Sequence, residues 1–250
     1  MSAIFALANQ KGGVAKTTTT GTLAAGLKKQ GFSVLTIDCD PQGNLSMSVA
    51  AENQDSATMY EVMKGTVSAR EAIQHTPSCD IIPANTILAG IEQELHNVGK
   101  EMTLREKLRD EQTGVAEEYD YILIDCPPSL GLLTVNALTA ADYLLIPTMA
   151  ETFAASGITQ LYDTYKSVKK LHRIRRSGLD GVLLDATPQI PQLLRAGVGR
   201  LLVDGTLMEP AELARIDGPR PPRHRRAVAG RTPDRRLPGS SAGCLFNGIE

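Results

Sequence analysis

Short apolar runs alternate with longer segments of helical period through the first two thirds of the chain. The apolar runs are nearly continuous, which is typical of strands that are buried on both faces of a sheet. They predict strands over residues 3–8, 32–38, 79–84, 119–126, 143–147 and 179–185, the last of these being the final strand. The other segments predict helices over residues 17–30, 58–64, 69–76, 87–97, 103–110 and 154–171. This alternation indicates an α/β fold, with a mostly parallel twisted sheet and helices on both faces.

Residue usage changes abruptly after His172. Ten lysines and three arginines precede this point, and thirteen arginines without a lysine follow it, together with eight of the fourteen prolines. Residues 217–250 have neither a helical nor a strand period and are predicted to be disordered. We therefore divide the chain into a domain over residues 1–185, an atypical extension over residues 186–216, and an irregular tail rich in proline and arginine over residues 217–250.

The basic tail has three interpretations at this stage. It is either a contact for nucleic acid or an acidic surface, or a solvated segment without a role, and the second interpretation is favoured over the first. The change in residue usage also fits a shifted reading frame or a recombined gene end that begins at about residue 173.

Composition excludes several other classes of function. The chain of 250 residues is 42% hydrophobic, enough for a sizeable core, and its net charge of −2 indicates no partner by bulk electrostatics. Its four cysteines show no C-x-x-C spacing, so a zinc site or a disulfide framework is not expected. The sequence has neither a leader pattern nor an apolar run of membrane-spanning length. We therefore expect a cytoplasmic protein without a membrane partner.

The sequence NQKGGVAKTTTT over residues 9–20 is a variant of the phosphate-binding pattern G-x-x-x-x-G-K-[ST]. Lys16 and Thr17 fit the end of that pattern, whereas Gln10 and Ala15 replace its two glycines. The loop has a second lysine instead, Lys11, which the ordinary pattern lacks. It follows a predicted strand and precedes a predicted helix, as a phosphate-binding loop requires.

Each loop residue has a role that its chemistry suggests. Gly12 and Gly13 allow backbone N–H groups to approach phosphate oxygens without a Cβ in the way. We expect Lys16 to bridge the β- and γ-phosphates, the Thr17 hydroxyl to coordinate Mg²⁺, and Thr18 to make a further phosphate contact.

Three aspartates follow predicted strands. Asp38 and Asp40 lie in TIDCDPQGN, and Asp125 ends the buried run YILID. Ligands of open parallel sheets bind beyond the carboxyl ends of the strands, so the three carboxylates can converge on the loop. A single aspartate at such a position is as often a helix cap or a turn residue, but three of them beside a lysine-threonine pair indicate a magnesium site.

Taken together, K-G-G-x-x-K-[ST]-T, D-x-D-P-Q-G-N and I-D-C-P-P-S resemble the deviant phosphate-loop ATPases of the ParA/MinD superfamily. Asp-Pro-Gln-Gly-Asn is similar to the ParA (Soj-like) branch, and the resemblance covers about residues 1–171. It implies a P-loop NTPase fold and Mg²⁺-dependent ATP hydrolysis in chromosome or plasmid partition. It also implies a homodimer on ATP binding, a ParB-type partner protein, non-specific DNA as a partner, and a nucleoid-associated location in the cytoplasm.

The resemblance also implies a role for each matching residue. Lys11 would reach the phosphates of the partner subunit in the ATP-bound dimer, and Asp40 would orient or activate the attacking water. Asp38 would stabilise the switch and the magnesium shell, and Asp125 would hold Mg²⁺ through water. The catalytic set is thus Lys11, Lys16 and Asp40, and the metal set is Thr17, Asp38 and Asp125. The nucleotide-binding set is Lys11, Gly12, Gly13, Val14, Ala15, Lys16, Thr17 and Thr18.

The resemblance weakens after residue 185, where the family has further strand-helix elements and a regular C-terminal helix. No adenine-contacting or DNA-contacting residue can be assigned there. The alternative function is a degenerate or truncated nucleotide binder without turnover. Residues 147–158 resemble the family's strand-to-helix segment loosely, with Glu151 near the predicted dimer face, and are equally well an ordinary helix start. A MinD-type membrane ATPase and a nitrogenase-reductase-like carrier fit less well, because prolines interrupt the tail and paired cluster cysteines are lacking.

Overall fold

Eight strands form one sheet in the computed structural model, which describes residues 2–96, 98–148, 154–171, 178–184 and 201–203. The strands are β1 (Ala3–Leu7), β2 (Val34–Asp38), β3 (Gln74–His75), β4 (Asp80–Ile82), β5 (Tyr121–Asp125), β6 (Tyr143–Thr148), β7 (Gly178–Leu184) and β8 (Leu201–Val203). Their order across the sheet is β3-β4-β2-β5-β1-β6-β7-β8. Neighbouring strands run parallel, except for the antiparallel pair of β3 and β4. The predicted, mostly parallel sheet is confirmed.

Helices cover both faces of this sheet, as predicted. They are α1 (Lys16–Lys29), α2 (Asn44–Ser48), α3 (Met59–Lys64), α4 (Ile91–Glu94), α5 (Thr103–Arg109), α6 (Leu132–Ala140) and α7 (Ala154–Leu171). Alternate residues of β1 point to opposite faces: Ile4 packs in one buried cluster and Leu7 in the other. The cluster that contains Leu7 includes residues of α1 and α2, and the other cluster includes residues of α3, α5, α6 and α7. The middle of the sheet is therefore buried on both sides, which explains its nearly continuous apolar strands.

The helix predicted over residues 69–76 is wrong. The Ser68 amide donates to the Glu71 carboxylate at 3.0 Å, and only a single helical turn forms there. Gln74 then pairs with Ile81 in the β3–β4 ladder. The local pattern is compatible with a helix, but the pairing of Gln74 with a strand that lies further along the chain prevails over it.

The helix predicted over residues 87–97 is shorter and less regular than expected. A 3₁₀ turn over Thr86–Gly90 precedes α4, which ends at Glu94. The side chain of Asn85 accepts a hydrogen bond from the Ile87 amide at 3.1 Å and begins the 3₁₀ turn. Leu95 is extended and buried, so the chain leaves the helix there.

Besides β3, three elements were not predicted from the sequence: α2, α6 and β8. Seven of the nine residues of α6 are buried, so the helix has no polar stripe to reveal its period. β8 pairs with β7, so the strand predicted over residues 179–185 is present but is not the last one. The domain boundary after residue 185 remains a prediction, and β8 joins the same sheet from beyond it.

Several predictions concern residues outside the described ranges. These are the disordered tail over residues 217–250, most of the extension over residues 186–216, and the position of Glu151. Among the described residues, no helix combines the length and the apolar character that crossing a membrane requires.

Candidate functional site

The loop between β1 and α1 has the predicted strand-loop-helix arrangement. Its backbone is left-handed at Gly13, with a φ of 72°, and at Ala15, with a φ of 61°. Glycine adopts this conformation without strain, whereas the Cβ of Ala15 opposes it modestly. The chain turns at these two positions and enters α1 at Lys16.

The two loop glycines leave space beside the backbone. No heavy atom lies within 4 Å of the position that a Cβ would take at Gly12 or Gly13. The first turn of α1 has no side-chain cap hydrogen bond and no acidic residue. Its N-terminal amides and the positive end of its dipole are therefore available to an anion.

Lys16 is the buried cation of this loop, with 8% of its surface exposed. Its Nζ donates a hydrogen bond to the Lys11 carbonyl oxygen at 3.2 Å. Burial lowers the pKa of Lys16, and the nearby Asp125, Cys126 and Asp40 oppose that shift. A partly desolvated ammonium group attracts phosphate oxygens more strongly than a fully hydrated one does, so Lys16 fits its predicted role.

The side chain of Lys11 is exposed, whereas its backbone is fixed. The Lys11 amide donates to Asn9 Oδ1 at 3.0 Å, and Asn9 Nδ2 donates to the Pro147 carbonyl oxygen at 2.8 Å. Asn9 is buried, and the sequence analysis did not identify it as a site residue. Its position between the first strand and the glycine pair was the feature that could have indicated it. Asn9 links the start of the loop to β6 and thereby sets the position of Lys11.

Thr17 and Asp125 form an oxygen-rich pair at the start of α1. Thr17 Oγ1 donates to Asp125 Oδ2 at 2.7 Å, and Thr20 Oγ1 lies 3.5 Å from Asp125 Oδ1. Burial raises the pKa of Asp125 to about 7; the Thr17 hydrogen bond opposes this shift and Asp38 adds to it. A hydroxyl and a carboxylate are ligands that Mg²⁺ prefers, and a cation here would stabilise the charged form of Asp125. These residues fit the predicted metal.

Asp38 lies beside Asp125, since the two are register partners in β2 and β5. Asp38 Oδ2 accepts hydrogen bonds from the Ser46 amide at 2.9 Å and from Ser46 Oγ at 2.8 Å. Burial raises the pKa of Asp38, and the hydrogen bonds from Ser46 and from the Asp40 amide counteract it. Sequence reasoning did not identify Ser46, whose only signal was its place after the D-P-Q-G-N motif.

Asp40 begins a tight turn directly after β2. Its amide donates to Asp38 Oδ1 at 3.1 Å, and its own Oδ1 accepts from the Gln42 amide at 3.0 Å. The Gly43 amide closes the turn on the Asp40 carbonyl oxygen at 2.9 Å. Asp40 is half-buried and lies close enough to Lys16 to affect its pKa. The structure thus brings Asp40 to the loop, as predicted.

The described carboxylates do not form a three-ligand metal site by themselves. Among the described residues, no three His, Cys, Asp or Glu side chains are placed to bind one together. Mg²⁺ is commonly held by one or two carboxylates together with substrate phosphates and water. The pair of Thr17 and Asp125 therefore suits Mg²⁺ bound together with a phosphate ligand.

The remaining predicted residues differ in exposure. The side chain of Val14 is buried, so Val14 contributes only its backbone to the surface of the loop. Thr18 is exposed in the first turn of α1. The predicted loop residues and all three aspartates thus lie at the carboxyl edge of the central strands. Their individual roles remain predictions.

Comparison with known proteins gives a family match over most of the chain. A family model described as an AAA domain matches residues 2–177. The chain is 43% identical over 188 residues to the sporulation initiation inhibitor protein Soj of Bacillus subtilis, covering 74% of this chain and 72% of Soj. It is 44% identical over 171 residues to the chromosome partitioning protein ParA of Caulobacter vibrioides, covering 66% of this chain and 63% of ParA. The chain thus matches less than two thirds of the length of that ParA.

Solved structures show the same fold. Cobyrinic acid a,c-diamide synthase from Mycobacterium smegmatis, with a bound ATP analogue and magnesium, superposes with a TM-score of 0.69 at 36% identity, covering 79% of this chain and 82% of that one. An ATP complex of McdA from Cyanothece superposes with a TM-score of 0.71 at 24% identity, covering 81% and 83%. The second likeness concerns the fold alone.

Proposed function

Since this chain belongs to the AAA domain family and, within it, to the ParA/Soj-like P-loop partition ATPases, we propose that it binds ATP with Mg²⁺ and hydrolyses it to ADP and phosphate. The main support is one arrangement. Buried Lys16 and the pair of Thr17 and Asp125 flank an open glycine loop at the start of α1. The degenerate binder is not favoured, because the residues predicted to bind phosphate and metal lie with Asp40 at one edge of the sheet.

Binding uses the backbone and Lys16. The amides around Gly12 and Gly13 and the start of α1 would hold phosphate oxygens. Lys16 Nζ would give up its hydrogen bond to the Lys11 carbonyl oxygen and donate to oxygens of the β- and γ-phosphates instead. Thr17 and Asp125 would hold Mg²⁺, with Asp38 supporting them, and the cation supplies positive charge against the phosphate oxygens. Thr18 would add a further phosphate contact.

Hydrolysis requires a water molecule placed in line with the terminal phosphorus. Asp40 would orient this water, since its carboxylate lies near enough to Lys16 to oppose the lowering of that lysine's pKa by burial. Asp38 would keep the Asp40 turn in place by accepting the Asp40 amide and both donors of Ser46. The water oxygen would then bond to the γ-phosphorus while the bond from that phosphorus to the β–γ bridging oxygen breaks, and a proton of the water would pass to an oxygen of the departing phosphate, so that ADP and phosphate leave.

Lys11 would act between two copies of the chain. Its side chain is exposed, while its backbone is fixed through Asn9 to Pro147. Two ATP-loaded subunits that face each other would bring their phosphates close together, and a lysine from each would offset that charge. The homodimer would therefore form on ATP binding and dissociate after hydrolysis.

The names of two relatives suggest the cellular role. One is a chromosome partitioning protein, and the other is the sporulation initiation inhibitor Soj. We accordingly propose a role in chromosome or plasmid partition, in the cytoplasm and in association with the nucleoid. The partners would be a ParB-type protein and DNA bound without sequence preference.

Phosphate release in the presence and absence of Mg²⁺ tests the enzymatic proposal. The wild-type chain should release phosphate from ATP only with Mg²⁺. Lys16→Ala should abolish both nucleotide binding and release, whereas Asp40→Ala should keep nucleotide binding and lose release. Lys29→Ala, an exposed lysine in the last turn of α1, is the matched control and should behave as wild type. No release from wild type, even with a ParB-type partner and DNA present, would favour the degenerate binder.

A further inference from the structure

The turn over residues 40–43 lies against the segment that follows β4. Gly43 has a φ of 64°. A Cβ at Gly43 would lie 2.9 Å from the Ala84 carbonyl oxygen and 3.2 Å from Asn53 Nδ2. The backbone of the turn is thus in close contact with one peptide oxygen, and the position of that oxygen limits where the turn can lie.

Asn53 fixes the Ala84 carbonyl oxygen. Its Nδ2 donates to that oxygen at 2.9 Å, and because a carbonyl group only accepts hydrogen bonds, the amide nitrogen must face it. Asn85 returns the contact, since its Nδ2 donates to the Asn53 carbonyl oxygen at 2.8 Å. The two asparagines therefore clamp two segments that are distant in sequence.

Ser46 fixes the amide nitrogen of the same residue, Ala84. The Ala84 amide donates to Ser46 Oγ at 2.9 Å, and Ser46 Oγ donates to Asp38. Ala84 is therefore bound through its nitrogen to the Asp38 network and through its oxygen to Asn53. The atoms closest to the Cβ position of Gly43 are the Ala84 carbonyl oxygen and Asn53 Nδ2, so the Asn53 contact is the one that adjoins the turn.

We infer that Asn53 is a positioning residue for hydrolysis, which holds the Ala84 carbonyl oxygen and through it the turn that begins at Asp40. This inference rests on the proposed function, in which Asp40 orients the attacking water. None of the hydrogen bonds of Asn53 involves the phosphate-binding loop. Its loss should therefore affect the chemical step and leave the binding of ATP unchanged.

Asn53→Ala tests the inference by steady-state kinetics. Loss of one neutral hydrogen bond from the support of the turn should lower kcat about fivefold while KM for ATP stays constant. Asn53→Asp has a similar shape but cannot donate to the carbonyl oxygen at neutral pH, so it should lower kcat at least as much. Gln54→Ala removes a neighbour whose amide lies 3.4 Å from Asn53 Oδ1, and it should match wild type.

Amide hydrogen exchange provides a second readout that does not depend on turnover. In Asn53→Ala the amides of Gln42 and Gly43 should exchange faster, whereas those of the phosphate-binding loop should be unchanged. Wild-type kcat in both Asn53 variants would overturn the inference, and so would unaltered exchange at Gln42 and Gly43. If the wild-type chain releases no phosphate, the proposed function fails and the role of Asn53 in hydrolysis fails with it; the exchange at Gln42 and Gly43 then decides only whether Asn53 holds the turn in place.

Discussion

Replacing Ser46 by alanine removes one buried hydroxyl that has two partners. Ser46 Oγ donates to Asp38 Oδ2 at 2.8 Å and accepts from the Ala84 amide at 2.9 Å. The variant leaves the Ala84 N–H without its acceptor, which destabilises the fold by about 1–3 kcal/mol. It also removes one of the two Ser46 hydrogen bonds to the Asp38 carboxyl group, so the pKa of Asp38 should rise further.

We therefore expect Ser46→Ala to lower the free energy of unfolding by roughly 2–4 kcal/mol, since the effects of the two lost bonds add in part. Urea denaturation of the nucleotide-free protein, followed by circular dichroism, measures this difference. The control is Ser48→Ala in the same short helix, where the hydroxyl donates only to the Leu45 carbonyl oxygen, and it should lose less than about 1 kcal/mol. Equal stabilities for the two variants would refute the account of Ser46 as the link between Asp38 and Ala84.

Two further predictions concern Gly43 and Lys169. Gly43→Ala should destabilise the protein by about 2–3 kcal/mol, because it combines left-handed strain with the close approach to Ala84. The control is Gly31→Ala, where φ is 94° and no atom lies within 4 Å of the Cβ position. It should lose only about 1 kcal/mol in the same urea titration. Burial lowers the pKa of Lys169 to about 8 from its ordinary 10.5, so between these values this lysine binds more protons in the unfolded chain, and its own contribution to stability rises with pH across that window. Lys169→Met should remove this contribution, roughly 3 kcal/mol for a lysine that is only 6% exposed, in denaturation series over the same window, and a slope equal to that of wild type would contradict the assignment.

The parts of the site that were predicted from sequence are those that local pattern specifies. Asp38 and Asp125 each end a run of buried strand residues, and parallel strands bring their carboxyl ends to one edge, so the sequence indicated that they converge. Lys16 and Thr17 were recognisable because a phosphate loop needs its lysine and hydroxyl at fixed spacing.

The residues that support the site were missed because their partners are distant in sequence. Asn9 bonds to the carbonyl oxygen of Pro147, and Asn53 bonds to that of Ala84. Every residue has a backbone carbonyl group, so the sequence does not show which one will accept a given hydrogen bond. The buried helix α6 was missed for another reason: its buried residues, which include Thr134, Asn136 and Thr139, lie on nearly all of its sides and hide the helical period.

The central claim is that the terminal phosphate of ATP, bound by Lys16 of its own chain and by Lys11 of a second copy, controls pairing. Light scattering coupled to size exclusion, with Mg²⁺ and ADP, ATP or a nonhydrolysable ATP analogue, tests it most directly. The account predicts one chain with ADP and two chains with the analogue, while Lys11→Ala remains a single chain although it still binds nucleotide. A wild-type protein that stays single in saturating analogue, or a Lys11→Ala variant that pairs as wild type does, would contradict it.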